Sequence, residues 1–132
     1  SAVLALRKAM RARLAADPEL TSRVTGFFDE APAGAVHPYV AFGDAQARDW
    51  APLLSPGGEQ FIVLHVWTTQ RGLAGALAIA QRLKAALDEA PLAVEGHRLV
   101  DLRFLSLETR RDNAGRFARA SLRFRATLEI LE

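Results

Sequence analysis

The sequence contains no cysteine, which excludes disulfide scaffolds, thiol nucleophiles and zinc sites with thiolate ligands. No apolar run reaches the length of about 18 residues that a membrane-spanning helix needs. Lysine is scarce as well, since 15 of the 17 basic residues are arginines. The Gly57-Gly58 pair precedes a predicted strand, whereas a phosphate-binding glycine loop follows a strand and opens a helix. These absences leave no evident cofactor, metal or membrane partner.

The residues that are present have the balance of a globular domain. Half of the 132 residues are hydrophobic and 24% are charged, which is typical of one soluble domain spanning residues 1–132. The formal net charge of +2 is unevenly distributed, because residues 110–125 carry +5 and the remainder carries −3. A chain with one basic end and a mildly acidic remainder is suited to stacking on copies of itself or to facing a polyanion. The alternative is a well-solvated basic hairpin.

Apolar periodicity predicts two principal helices and about four main strands. The helices are expected over residues 2–16 and 73–89, where apolar side chains recur at helical spacing. The strands are expected at residues 39–43, 59–69, 97–110 and 116–131. The predicted fold class is α+β, with a small mixed or antiparallel sheet and the helices packed on it. The element order is helix, strand, loop, strand, helix, strand, strand.

Three features of the strand pattern carry further expectations. The strand at 59–69 is apolar on both faces, which predicts a central position covered on two sides. A phase change predicts a β-bulge near Phe104–Leu105, within a C-terminal hairpin over residues 97–131. Residues 44–58 lack periodicity and are expected to form a long loop, whose Trp50 covers the core edge or contacts a neighbour.

The residue types that can carry out catalysis or bind metals are scattered along the chain and form no recognisable motif. The three histidines lie in three different predicted elements, whereas a metal site needs several ligands converging on one point. We interpret His65 as a buried strand residue with a satisfied hydrogen bond. Asp101 is an acid within a strand pattern, and pairing across the hairpin with Arg123 or Arg125 explains it. The sequence therefore predicts no enzyme, no metal and no cofactor.

The basic hairpin is the remaining candidate for binding phosphate or the acids of a neighbour. Alternation over residues 116–131 predicts one core face and one polar face. No recognition helix and no stacking aromatics accompany the arginines, so a contact with DNA is expected to be electrostatic and independent of sequence. The six arginines concerned are Arg110, Arg111, Arg116, Arg119, Arg123 and Arg125.

The order of several short motifs resembles a known family. The motifs are Pro38–Gly43, Arg48–Trp50, Leu64–Trp67, Ala78–Ile79, Ala86–Leu87, Ala90–Leu92 and Gly96–Val100. Over roughly residues 35–128 their order and spacing resemble phage-like tail terminators. These are small tail-completion proteins of long-tailed phages, prophages and the gene transfer agents of alphaproteobacteria. The motifs are structural, so the resemblance supplies no catalytic residue.

The resemblance implies an assembly and a place of action. Similar proteins assemble into a homohexameric ring that sits on the last ring of the tail tube protein and stops polymerisation. The ring presents a surface to the head-side connector or stopper protein, and DNA passes through its channel. The chain is expected in the cytoplasm during assembly and then in the particle at the head–tail junction. On this basis the six arginines are expected at subunit interfaces or facing the channel, and Trp50 against a neighbouring ring or subunit.

Two alternatives remain open on the sequence alone. Another neck component of the same particle, such as the stopper ring protein, has an overlapping size and ring symmetry. A cellular, sequence-independent nucleic-acid-binding domain would use the arginine hairpin, and its affinity for DNA would fall steeply with salt. Residues 1–30 match no motif of the family, so their role is open.

Overall fold

A computed structural model of the chain describes residues 2–49, 56–69, 72–112 and 114–131. Its elements are α1 (Ala2–Ala15), α2 (Pro18–Thr21), β1 (Phe27–Phe28), β2 (Tyr39–Asp49), β3 (Gly57–Thr68), α3 (Ala74–Leu87), β4 (His97–Arg111) and β5 (Ala118–Ile130). The strands form one five-stranded sheet in the order β1-β2-β3-β5-β4. The sheet is mixed, because β1 runs parallel to β2 and the other neighbouring pairs are antiparallel.

The predicted α+β class is confirmed, with two short elements added to the expected four strands and two helices. The additions are the two-residue β1 and the four-residue α2. β1 is held by its parallel pairing with β2. α2 is capped by Asp17, whose carboxylate accepts hydrogen bonds from the backbone N–H groups of Glu19 and Leu20. The sequence indicates one or two helical turns over residues 18–24, which α2 confirms, whereas the two-residue β1 is too short to show a periodicity.

The long helices pack on one face of the sheet. α1 buries Leu6, Met10 and Leu14, whose spacing of four residues places them on one stripe. Together with buried residues of α3 they enclose a single hydrophobic core, whose strand residues include Ile62, Leu64, Val66, Leu122 and Phe124. None of the helices in the described ranges has the length and hydropathy needed to cross a membrane.

Among the described residues, helices cover the central strand β3 on one face, which corrects the prediction of two covered faces. Its core face carries Ile62, Leu64 and Val66, all of which are buried. The alternate side chains remain half-buried and outside the core: Phe61, Val63, His65 and Trp67. The apolar character of these side chains led to the prediction of a second covered face. In the structure, the rings of Phe61 and Trp67 pack against the arginine side chains of β5 instead.

The predicted loop over residues 44–58 is wrong at both of its ends, because residues 44–49 and 57–58 belong to strands. β2 continues to Asp49 and β3 begins at Gly57, and the two strands pair with each other throughout this region. A register shift after Phe42 interrupts the alternation of side chains, and most residues of β2 beyond it are exposed. The sequence therefore lacks an apolar pattern there, although backbone pairing continues the strand.

β4 and β5 form an antiparallel hairpin, in which β4 is one of the two edge strands of the sheet. The register shifts between Phe104 and Ser106, which confirms the bulge predicted near Phe104–Leu105. A second shift follows Leu99. In the turn, Gly115 has a φ of 69°, a left-handed conformation that glycine adopts without strain. The hairpin thus carries the basic segment to one end of the sheet.

Candidate interaction surface

The uncovered face of the sheet is organised around β5, whose residues alternate between two environments. Leu122 and Phe124 lie in the core, whereas Arg119, Arg123 and Arg125 lie on the opposite face and remain half-buried or exposed. The inward set predicted from alternation is confirmed from Ala118 to Leu128, whereas Ile130 is exposed, and Ser121 of the predicted outward set is buried. Because β5 lies between β3 and β4, the arginine row runs along the interior of the uncovered face.

Aromatic side chains of β3 contact two of these arginines. Cζ of Arg119 lies 5.4 Å from the centroid of the Trp67 ring, and Cζ of Arg123 lies 4.7 Å from that of Phe61. Each contact is worth about 0.5–1 kcal/mol at an exposed site, and it restricts the orientation of the guanidinium plane. Strand pairing brings these rings, which are distant in the sequence, beside the arginines, where each packs against a guanidinium group.

The other three arginines lie where β4 ends and the chain turns toward β5. Arg110 and Arg111 are the last residues of β4 and are exposed. Arg116 binds Asp112, with Nε donating to Oδ2 at 3.0 Å and the backbone N–H donating to Oδ1 at 2.5 Å. Burial raises the pKa of Asp112, but the hydrogen bonds from Arg116 outweigh it and hold the pKa below its ordinary value. Asp112 is therefore ionised, and both of its carboxylate oxygens accept hydrogen bonds from Arg116 within the turn.

The structure brings four of the six predicted arginines together. They line a cavity of about 410 Å³ at the end of the hairpin: Arg110, Arg111, Arg116 and Arg119. The remaining two lie farther along β5 on the uncovered face: Arg123 and Arg125. The basic segment thus consists of a concave cluster and an extended row rather than one uniform patch.

Asp101 does not pair with Arg123 or Arg125, contrary to prediction. Its Oδ2 lies 3.8 Å from Nε of Arg103 on the same strand, and its cross-strand partner is Thr127. Two bulges in β4 shift its register against β5. The sequence pattern does not predict which residues then lie opposite each other. Within the described ranges, no ion pair joins Arg123 or Arg125 to another residue.

His65 lies on the uncovered face and is half-buried rather than buried as predicted, but it is a strand residue with a satisfied hydrogen bond, as predicted. Its Nδ1 lies 2.6 Å from Oγ of Ser121. The ring packs over Gly43, where a Cβ would lie 2.5 Å from Nε2. Burial, followed by the charge of Arg119, lowers the pKa of His65 from its ordinary value of 6.5. In the part of the chain that the structure describes, no three histidine or acidic side chains gather as a metal site.

Acidification is expected to destabilise the protein through His65. The folded state holds this imidazole neutral below the pH at which the unfolded chain protonates it, so the unfolded state binds more protons. The stabilisation is fully present above pH 6.5 and is lost as the pH falls through the lowered pKa of the folded state. Urea unfolding at a series of pH values should show this loss in the wild type and a flatter profile in His65→Gln. The control His97→Gln should keep the wild-type profile, and equal slopes in all three proteins would contradict the assignment.

Trp50, which is predicted to contact a neighbouring ring or subunit, lies outside the described residues, as do residues 51–55. Its role therefore stays a prediction. The structure describes the flanking ends, Asp49 of β2 and Pro56 before β3.

Comparisons with known proteins agree with this architecture. Residues 8–129 match the model of a family described as tail completion protein gp17. A chain in the solved virion of a native gene transfer agent particle is 33% identical, with a TM-score of 0.89 over 98% of both chains. The gp17 protein of bacteriophage SPP1 is 26% identical, with a TM-score of 0.64 over 94% of this chain and 88% of that chain. No curated protein matches the sequence.

The family match confirms the resemblance predicted from the ordered motifs. It begins at residue 8, so most of the first 30 residues, which carry no recognisable motif, lie within the family domain. The family is structural, and membership in it supports the expectation that the chain is not an enzyme. The chain therefore belongs to the tail completion protein gp17 family and has a structural role in tail completion.

Proposed function

We propose that this chain forms a ring that caps the tail tube of a phage-like particle, stops its polymerisation and joins it to the head-side connector. The observation that carries the proposal is the 33% identity, over 98% of both chains, to a chain of the gene transfer agent virion. The number of six subunits is taken from the resemblance to tail terminators. The protein would act at the head–tail junction after assembly in the cytoplasm.

The two faces of the sheet support an assembling role. One face is filled by α1 and α3, and the other carries the arginine row with no helix packed on it in the described ranges. A ring needs two different patches that meet head to tail with a closing rotation. The uneven charge supplies two such patches, because residues 110–125 carry +5 and the remainder −3. The six arginines would lie at subunit interfaces or face a channel through which DNA passes without sequence recognition.

Deleting the gene in its host tests this function. Negative-stain electron microscopy should show overlong or unjoined tails beside full heads, because nothing would stop the tube or connect it. Tails of normal length without heads would instead favour another neck protein, such as the stopper. Normal particles after deletion would contradict a role in tail completion.

Complementation of the deletion tests the arginine row. Arg123→Gln combined with Arg125→Gln should reduce the number of joined particles by about tenfold or more, because both guanidiniums lose their charge. The matched control is Arg11→Gln combined with Arg23→Gln, which removes two exposed arginines from α1 and the segment after α2. A solved ring with all six predicted arginines on its outer rim would contradict their proposed place.

A further inference from the structure

The protein itself blocks the outer edge of β4 along only part of its length. Glu89, just after α3, donates its backbone N–H to the carbonyl oxygen of Leu102 at 2.7 Å. Beside it, the carboxylate of Asp88 accepts the backbone N–H of Phe104 at 2.9 Å. Beyond this point β4 continues through residues 105–111, and in the described ranges β5 is the only strand that pairs with it. We call residues 105–111 the free edge, and such an edge is able to bind a further extended segment.

The register identifies the backbone groups that the free edge offers. In an antiparallel pair, alternate residues turn both N–H and C=O away from the neighbouring strand. Phe104 is one of them, since its N–H reaches Asp88. The register shift after Phe104 moves the alternation by one residue, and Asp112 accordingly faces the partner strand, because its N–H bonds the carbonyl oxygen of Phe117. The residues that turn their backbone groups outward are therefore Leu107, Thr109 and Arg111.

An apolar groove lies beside the free edge, between α3 and β4. Its volume is about 370 Å³, within the range of about 300–1,000 Å³ typical of ligand pockets. Leu107 lies opposite Leu122 of the core, so its side chain is on the helix side of the sheet, yet it is 45% exposed. A strand added to β4 would place every second side chain over this groove. The other apolar residues that line it are Leu77, Ala80 and Phe104.

The charged side chains on the groove side of the free edge are basic. Lys84 lines the groove, and Arg111 lies opposite the buried Ala118, which places its side chain on the same side of the sheet. Neither belongs to an ion pair within the described ranges. The acid of the free edge, Glu108, lies opposite Ser121 and therefore on the uncovered face. A complementary occupant carries an acidic side chain in the same phase as its apolar ones.

The edges of the sheet argue against a second copy of the chain as this occupant. The opposite edge strand is β1, whose two residues Phe27–Phe28 are too few to pair along the free edge. Two β4 edges that pair with each other form an isologous contact, which closes as a dimer and does not continue around a ring. A segment of a different protein is therefore the occupant that these features favour.

We propose that the free edge of β4 binds an extended segment of a different protein as a sixth strand of the sheet. The backbone of this segment pairs with Leu107, Thr109 and Arg111, as in β-strand addition. One apolar side chain of the segment enters the groove beside α3, and an acidic side chain lies beside Arg111. This surface is separate from the arginine row on the uncovered face, and it does not depend on the formation of a ring.

A synthetic peptide tests the free edge by fluorescence anisotropy. The probe is a capped peptide with two aspartates at its N-terminus followed by alternating threonine and valine, because antiparallel pairing then places the aspartates beside Arg111. It should bind saturably below about 0.1 mM. The matched control is the same peptide with N-methylated valines, which keeps every side chain but lacks the donors that face β4, so it should bind at least about tenfold more weakly. Equal binding of the two peptides, or no saturation, would overturn the proposal.

Variants of the protein test the individual groups. Thr109→Pro removes an outward N–H without breaking the pairing with β5, and Leu107→Glu places a carboxylate at the groove, so each should weaken binding of the probe by at least about tenfold. Val100→Glu is the matched control, because Val100 is 46% exposed on the same strand, and it should bind like the wild type. Arg111→Glu should lose the probe and bind a peptide with lysines in place of the aspartates. Where circular dichroism shows that another variant does not fold, this exchange decides, and its failure overturns the proposal.

Crosslinking in particles identifies the occupant. p-Benzoylphenylalanine is placed at position 108, on the uncovered face beside the free edge, in a chain that complements the gene deletion. Ultraviolet light should join it to a segment of a different particle protein in which apolar and acidic residues share alternate positions. The same label at the exposed position 4 of α1 should not capture that segment. Crosslinks to another copy of this chain, or none, would overturn the proposal, whereas overlong tails after deletion would still support the capping function.

Discussion

Replacing Phe124 by alanine is expected to lower the free energy of unfolding by about 4 kcal/mol. The side chain is fully buried in the middle of β5, opposite Ile62 of β3 and Phe104 of β4. Its ring meets that of Phe104 edge to face, with centroids 5.8 Å apart. Truncation would remove both the apolar burial and this contact, and would leave a cavity between the sheet and the helices. Urea unfolding followed by circular dichroism would measure the loss.

The neighbours of Phe124 in the sequence provide the matched control. Arg123 and Arg125 flank it on the uncovered face, so Arg123→Ala and Arg125→Ala should each change stability by no more than about 1 kcal/mol. Such a contrast between adjacent residues would demonstrate that the strand separates a stabilising face from an interaction face. Equal losses at all three positions would show that the arginine face also contributes to the core, contrary to the structure.

The strength of the β5 pattern explains how much of the fold the sequence predicts. Alternation over thirteen residues identifies both faces of this strand, and helical spacing identifies α1 and α3 because their apolar stripes are long. The bulge near Phe104 is also visible, since it reverses the phase of the side chains. β1 is not predicted, because a strand of two residues is too short to show a periodicity. The exposed half of β2 escapes because only backbone pairing makes it a strand.

The sequence predicts which arginines form the candidate interaction surface, but it does not predict how they are arranged in space. The density of arginine between residues 110 and 125 is plain in the sequence. That four of them surround one cavity depends on the turn and on the end of β3, which lies in a distant part of the sequence. The same holds for the rings of Phe61 and Trp67, which pair with arginines only through the register of β3 and β5. For Asp101 the opposite holds, because a bulge shifts the register so that Thr127 lies across from it instead of an arginine.

Replacing Asp17 by alanine is expected to cost about 2 kcal/mol. The sequence indicates only that Asp17-Pro18 ends the first helix, but the buried carboxylate has a second task. One oxygen caps α2, and the other accepts hydrogen bonds from Nε and Nη2 of Arg82 on α3, at 2.9 and 2.7 Å. The residue therefore ties the α1–α2 junction to α3. Its loss would leave two backbone donors and the Arg82 guanidinium without their acceptor.

The pH dependence separates this contribution from that of His65. The hydrogen bond from Arg82 is the main cause that lowers the pKa of Asp17 from its ordinary value of 3.8. Its stabilisation is present above pH 3.8 and is lost as the pH falls through the lowered pKa. The stability curves of wild type and Asp17→Ala should therefore differ at neutral pH and approach each other in strong acid. Glu19→Gln is the matched control, because the exposed Glu19 carboxylate contacts the same Arg82 at 3.3 Å and should contribute less than about 1 kcal/mol. Equal effects of the two substitutions would show that Arg82 merely balances charge and that the buried cap is unimportant.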